Sequence, residues 1–268
     1  MTYHQLQELV LRQNDIHESL PGGQATKCDK KFKLKSYAGY WKDDLKHGYG
    51  RQQYVDGWFY KGNFESDCRH GYGKISRYNL DGTYSFYEGL WANDEQNGLG
   101  FSGCVTKQSR IAREPLHGNV GNSKTNKACR EKGWTYEGEM LNGLKHGMGK
   151  YIFDDRDGHF HSYEGDWIMD KENGQGKYAW NDGSTYEGAW EMGIRCGKGI
   201  YRNELGDVYD GYWQNDRYHG AGVLTNAVCE ETKEGEWCNG SLFNGIVLNL
   251  TKKASNAYPD CYYHFSTP

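Results

Sequence analysis

Aliphatic residues are scarce in this chain. Leu, Ile, Val and Phe together make up only about 16% of its 268 residues, a level more typical of disordered chains than of folded domains. Such a composition excludes an ordinary aliphatic core. Only four prolines are present, which excludes a stiff proline-rich linker. No apolar run approaches the roughly 20 residues that span a bilayer. The opening MTYHQLQELVLRQ lacks the basic and long apolar regions of a secretion signal. The eight cysteines, at 28, 68, 104, 129, 196, 229, 238 and 261, include no Cys-x-x-Cys pair. Their irregular spacing argues against a zinc site and against a redox motif. These absences predict a soluble, cytoplasmic protein of a reducing compartment, in which the sequons at Asn239 and Asn249 are chance matches.

Disorder is contradicted by what is abundant. There are 22 Tyr and 9 Trp, and the net charge is only -4. Aromatic rings must therefore supply the buried surface, while 37 glycines imply repeated tight turns and close backbone approach.

Those residues recur in order. A Tyr-x-Gly-x-(aromatic or Met) motif begins at Tyr37, Tyr60, Tyr87, Tyr136, Tyr163, Tyr186 and Tyr209. Eleven residues after each Tyr comes a Gly-x-Gly: Gly48/Gly50, Gly71/Gly73, Gly98/Gly100, Gly147/Gly149, Gly174/Gly176, Gly197/Gly199 and Gly220/Gly222. The steps are 23, 27, 49, 27, 23 and 23 residues, and "KEGEW" at 233–237 reads as a decayed eighth copy. In the 27-residue steps the extra residues divide evenly about an Asp-Gly pair, as they do when a β-hairpin lengthens about its turn.

Treating Asp-Gly as a two-residue hairpin loop sets a register. Tyr72 then faces Trp91, Met148 faces Trp167, Gln175 faces Trp190, and Tyr49 faces Phe64. Tyr, Gly and Trp of each motif share one face, with the middle glycine leaving room for the rings. The opposite face is expected to hold the Gly-x-Gly glycines with Glu164, Asp166 and Glu187. The residue before Gly-x-Gly is His47, His70, Asn97, His146, Asn173, Cys196 or His219. Asn and His tolerate left-handed backbone, so a turn role is expected there rather than catalysis.

This pattern resembles the MORN family (membrane occupation and recognition nexus), over about 37–101 and 136–237. The resemblance implies an all-β fold: an elongated, twisted, single-layer antiparallel array of β-hairpins, on the order of 75 Å long at about 4.8 Å per strand. It implies a non-catalytic scaffold in a cytoskeletal, ciliary or membrane-associated assembly. The predicted organisation is an N-terminal helix and basic segment (1–36), repeats 1–3 (37–101), a basic insert or decayed repeat (102–135), repeats 4–7 (136–232) and a decayed repeat with a C-terminal cap (233–268).

Three segments depart from the pattern. Residues 3–18 have helical apolar spacing through Leu6, Leu9, Val10 and Ile16, and Pro21-Gly22-Gly23 ends it. This helix could cap the first hairpin, fill the aromatic groove or mediate a homodimer. The insert is basic, with Lys107, Arg110, Arg113, Lys124, Lys127, Arg130 and Lys132 against Glu114 and Glu131, and so is KCDKKFKLK at 27–35. These patches either solvate or fold back on the acidic remainder, or attract an anionic membrane or acidic protein surface. The candidate anion-binding residues are Lys30, Lys31, Lys33, Lys107, Arg110, Arg113, Lys124, Lys127 and Arg130. The tail YPDCYYHF at 258–265 is expected to cover the far end of the array.

A search for catalysis finds nothing. DDRDGH at 154–159 lacks the ligands of an EF-hand at its ends and aligns with the turns of other copies. GIRCGKG at 193–199 lacks the spacing and hydroxyl of a P-loop, and no Gly-x-Ser-x-Gly occurs. Some MORN arrays carry a lipid kinase or methyltransferase domain, for which the residues after the last repeat leave too little room. The expected function is protein binding without enzyme activity, cofactor, metal or nucleic acid. A helical or extended partner segment would dock on the aromatic face at Tyr87, Trp91, Tyr163, Trp167, Tyr186, Trp190, Tyr209 and Trp213. The alternatives are peripheral binding of anionic phospholipid, or service as a regulatory subunit of a separate enzyme.

Overall fold

The computed structural model describes residues 33–106, 133–154 and 159–249. Over these residues the chain is all β, without helix, and it divides into two compact units between Gly158 and His159. The expected helix at 3–18 and the capping tail at 258–265 lie outside the described residues.

The first unit contains β1 (Leu34–Lys42), β2 (Leu45–Tyr54), β3 (Phe59–Glu65), β4 (Cys68–Tyr78), β5 (Thr83–Ala92), β6 (Glu95–Thr106), β7 (Trp134–Leu141) and β8 (Leu144–Asp154). Each strand pairs antiparallel with the next. The second unit contains β9 (Phe160–Ile168), β10 (Lys171–Ala179), β11 (Thr185–Glu191), β12 (Ile194–Arg202), β13 (Val208–Gln214), β14 (Arg217–Asn226), β15 (Glu231–Cys238) and β16 (Ser241–Asn249), paired in the same way. Strands β6 and β7 pair directly, Gly100 opposite Gly138, in the glycine-to-glycine register that joins the other successive repeats within each unit. The KEGEW copy forms a complete eighth hairpin, with Gly235 opposite Gly245.

Two kinds of turn alternate. Within each repeat, two residues at positive φ join the strands: Asp43-Asp44, Ser66-Asp67, Asn93-Asp94, Asn142-Gly143, Met169-Asp170, Met192-Gly193, Asn215-Asp216 and Asn239-Gly240. Positive φ at both positions is the type I′ hairpin, whose twist matches that of the strands. The Asp-Gly pairs lie elsewhere, between repeats, as the last two residues of three-residue loops. In Val55-Asp56-Gly57 the Tyr54 amide donates to the Trp58 carbonyl and Gly57 takes φ 91°. Leu80-Asp81-Gly82 and Asn181-Asp182-Gly183 repeat this arrangement.

The third loop residue moves the register by one from the expected pairing. Gly71, not Tyr72, faces Trp91, Gly174 faces Trp190, and Gly48 faces Phe64. A one-residue slip carries every side chain of a strand to the other face. The second glycine of each Gly-x-Gly accordingly lies on the aromatic face, contrary to the expectation that both lie opposite it. The left-handed residue is also not the His or Asn before Gly-x-Gly. It is the first glycine, at φ 67° in Gly71 and 54° in Gly197, where the second strand of each hairpin bulges.

Candidate interaction face

Each repeat assembles its part of the face around a glycine pair. Gly188 lies opposite Gly199, and the Tyr186 ring covers both. A β-carbon on Gly188 would meet the Gly199 α-carbon at 2.5 Å and the Tyr186 hydroxyl at 2.7 Å. The ring can therefore lie flat on the sheet only because both positions lack a side chain. At the end of the ring the hydroxyl donates to the Ala189 carbonyl at 3.0 Å, with the Cys196 carbonyl at 3.5 Å across the bulge. Tyr60, Tyr87, Tyr136, Tyr163 and Tyr209 make the same bond three residues ahead.

The tyrosines interlock with the tryptophans. Tyr186 meets Trp190 of its own repeat at 5.2 Å and Trp213 of the next at 5.0 Å, both edge to face. Tyr163 makes the equivalent contacts with Trp167 and Trp190. The indole N–H of Trp91, Trp190, Trp213 and Trp237 donates back to Gly73, Gly176, Gly199 and Gly222 respectively, at 2.9–3.2 Å. Every tryptophan of this kind staples its repeat to the one before. Edge-to-face pairs contribute about 0.5–1.5 kcal/mol beyond area burial, so the column supplies the core that the aliphatic residues cannot.

A third group closes over the rings. The guanidinium of Arg69 lies 4.3 Å from the Trp91 ring centre and that of Arg195 lies 4.5 Å from Trp213. Both are held by the turn aspartate of the following repeat. Arg69 Nε donates to Asp94 Oδ1 at 2.9 Å and Arg195 Nε to Asp216 Oδ1 at 2.9 Å, while each aspartate also accepts the arginine's own amide. Lys46, buried at 1% exposure, stands over Tyr37 and Phe64 and donates to Gln52 at 3.1 Å.

The consequence for the eight expected contact residues is direct. Tyr87 and Trp91 share one face of the first unit, Tyr163, Trp167, Tyr186, Trp190, Tyr209 and Trp213 share one face of the second, and their exposures run from 0 to 7%. The sheet buries these rings itself, because they pack on one another and on bare glycine backbone. Burial raises the phenol pKa of Tyr163 and Tyr186, and pushes that of Tyr209 up to about 12.

What remains accessible on this face is a second set of rings. Tyr178 and Tyr201 lie between successive repeat tyrosines, Tyr178 opposite Tyr163 and Tyr186, Tyr201 opposite Tyr186 and Tyr209. Trp180 stands 4.5 Å from Tyr178 and 5.8 Å from Tyr201, with Arg195 5.8 Å from its ring. All three rings are half-buried. The motif reading missed them because it stopped at the glycines. The signal was Gly-x-Gly-x-Tyr, present at Tyr151, Tyr178 and Tyr201.

Of the expected anion-binding residues, Lys33 is described and is exposed. Lys30, Lys31, Lys107, Arg110, Arg113, Lys124, Lys127 and Arg130 lie outside the described residues. Among the described residues no group of three or more His, Cys, Asp or Glu is placed to hold a metal, and no helix is long and apolar enough to cross a membrane.

An open array of antiparallel hairpins with a glycine-backed aromatic face defines a repeat protein of the interaction class. The MORN repeat model matches residues 37–59, 60–81, 87–103, 136–158, 163–185, 186–203 and 209–227, and the chain belongs to the MORN-repeat family. No curated protein matches it. MORN repeats are in general modules for interaction with proteins or membranes.

Proposed function

We propose that this protein is a non-catalytic scaffold that receives a helical or extended segment of a protein partner on the aromatic face, in a cytoskeletal, ciliary or membrane-associated assembly of the cytoplasm. The half-buried strip Tyr178–Trp180–Tyr201 carries this reading. It sets large rings, already immobilised by their neighbours, beside the Arg195 guanidinium. Rigid aromatics with arginine are the residues that dominate binding energy at protein interfaces. Within the second unit the buried rings of Tyr163, Tyr186, Trp190, Tyr209 and Trp213 act behind that strip, holding it in place. A pull-down comparing wild type with the Tyr178→Ala/Trp180→Ala/Tyr201→Ala variant tests the proposal, with circular dichroism confirming that both are folded. Loss of a specific partner from the folded variant supports it. Retention of every partner refutes it.

A second reading, peripheral binding to anionic phospholipid, draws support from the outward face of the first unit. There the exposed Arg51 and Lys61 lie directly opposite each other, next to the exposed Phe59. Each cation contributes about 1 kcal/mol at an anionic surface. Sedimentation with phosphatidylserine vesicles would separate the two, because the triple aromatic variant leaves this patch intact.

A further inference from the structure

The staple between repeats has an unsatisfied counterpart in β1, the first of the described strands. Trp91, Trp190, Trp213 and Trp237 each donate an indole N–H to the second glycine of the strand before. Trp41 occupies the same position in β1, yet its Nε1 is buried without a hydrogen-bond partner. Among the described residues β1 pairs on one side only, with β2. A buried N–H without an acceptor costs about 1–3 kcal/mol, a cost that one carbonyl at the expected place removes.

The required neighbour is specified by the other repeats. Within each unit, strands with the motif glycine and an aromatic two residues on pair, glycine to glycine, with the second strand of the preceding hairpin: Gly50 with Gly62, Gly73 with Gly89, Gly176 with Gly188, Gly199 with Gly211, Gly222 with Gly235. Strand β16 is a second strand of this kind, since Gly245 holds the glycine position opposite Gly235. Among the described residues β16 too pairs on one side only, with β15. Its sequence SLFNGIVLN has no charge and no proline, and Phe243, Val247 and Leu248 are 70, 43 and 42% exposed. An uncharged apolar edge of this length lacks the features that keep exposed strands from pairing with other chains.

We infer that β16 of one copy pairs antiparallel with β1 of a second copy, head to tail, with Gly245 opposite Gly39 and the Gly245 carbonyl accepting the Trp41 indole N–H. The occupant is a second copy because β16, the last of the described strands, is of the type that precedes the other strands of the β1 kind within each unit. The contact joins two different surfaces, so it propagates into longer assemblies rather than closing at a dimer. It does not depend on the aromatic strip proposed to bind a partner.

Sedimentation of the full chain over a wide concentration range tests this, with two variants. Wild type is expected to gain mass with concentration without a plateau at two copies. Trp41→Phe keeps the ring and removes the donor, and is expected to weaken association about tenfold while leaving the fold intact. In the proposed register Ala38 faces Ile246 of the neighbouring copy. Ala38→Cys/Ile246→Cys is therefore expected to yield an oxidised ladder of multiples that neither single substitution nor wild type produces. A chain that stays monomeric at every concentration overturns the proposal and leaves the slot to residues of the same chain. Association that stops at two copies, or that is unchanged in Trp41→Phe, overturns it as well, as does a double-cysteine variant that gives no ladder.

Discussion

The two units use one backbone and differ in what they place between the repeat tyrosines. In the first unit, from β2 to β6, those intermediate positions hold Gln52, Ile75 and Ser102, all buried, and the row is closed there, with the half-buried Tyr151 of β8 the exception. In the second they hold Tyr178, Tyr201 and Leu224, which are half-buried, so ring surface remains accessible. Coverage of the tryptophans differs too. Lys46 and Arg69 cover rings in the first unit, whereas in the second Arg195 is joined by an aromatic ring, Tyr218, stacked on Tyr209 at 3.7 Å and edge-on to Trp213 at 4.8 Å. The glycine-backed tyrosine column is thus the common frame, and the positions beside it distinguish a sealed surface from an accessible one.

The largest expected effect strikes the shared frame. Gly188→Ala places a methyl against the Gly199 backbone and the Tyr186 ring, neither of which can retreat, and is expected to cost about 3 kcal/mol or more in chemical denaturation. Trp213→Ala is expected to cost about 3–5 kcal/mol through loss of a 5%-exposed indole, and Trp213→Phe about 1–3 kcal/mol through loss of the bond to Gly199 and of part of the indole's packing. A Trp213→Phe variant as unstable as Trp213→Ala would show that ring size, not the staple, dominates. In the first unit, Gln52→Leu removes an acceptor of the buried Lys46 ammonium and is expected to cost about 1–3 kcal/mol. The smallest effect should come from Trp180→Ala, below about 1 kcal/mol in stability yet with partner binding reduced, since this ring is only half-buried.

Alkaline titration sharpens the same comparison. The folded phenols of Tyr163, Tyr186 and Tyr209 are raised, first by burial, above the ordinary value of 10.0. The unfolded chain therefore releases these protons at lower pH than the folded one. Their contribution to stability is complete below pH 10 and declines as pH rises toward the folded values. Phenolate absorbance from the buried tyrosines should appear together with unfolding between about pH 10 and 12. A smooth titration centred near 10 without loss of structure would contradict their burial.

Much of the architecture was legible because it repeats. Tyr-x-Gly-x-Trp and Gly-x-Gly at a constant separation specify two strands per copy, and a period is evidence that no single motif provides. The register was not legible, because Asp-Gly is compatible with both a two-residue loop and the end of a three-residue loop. Only backbone hydrogen bonds such as Tyr54 to Trp58 distinguish the two. The one-residue error moved the glycines to the wrong face and hid their purpose. The type I′ turns passed unnoticed for a related reason. Asp43-Asp44 and Met169-Asp170 lack the glycine that advertises such a turn, and it is strand twist and the pairing on either side that hold them at positive φ.

By itself, the sequence determined the repeat, the strand content and the identity of the rings that form the core, because alternation along a strand and recurrence along the chain are one-dimensional properties. Tertiary structure decided which of those rings are accessible. Exposure depends on what the neighbouring strand places beside each ring: Gln52 and Ile75 seal the tyrosines of one unit, Tyr178 and Tyr201 extend those of the other, and Trp41 is left buried with a donor that its own repeat cannot satisfy.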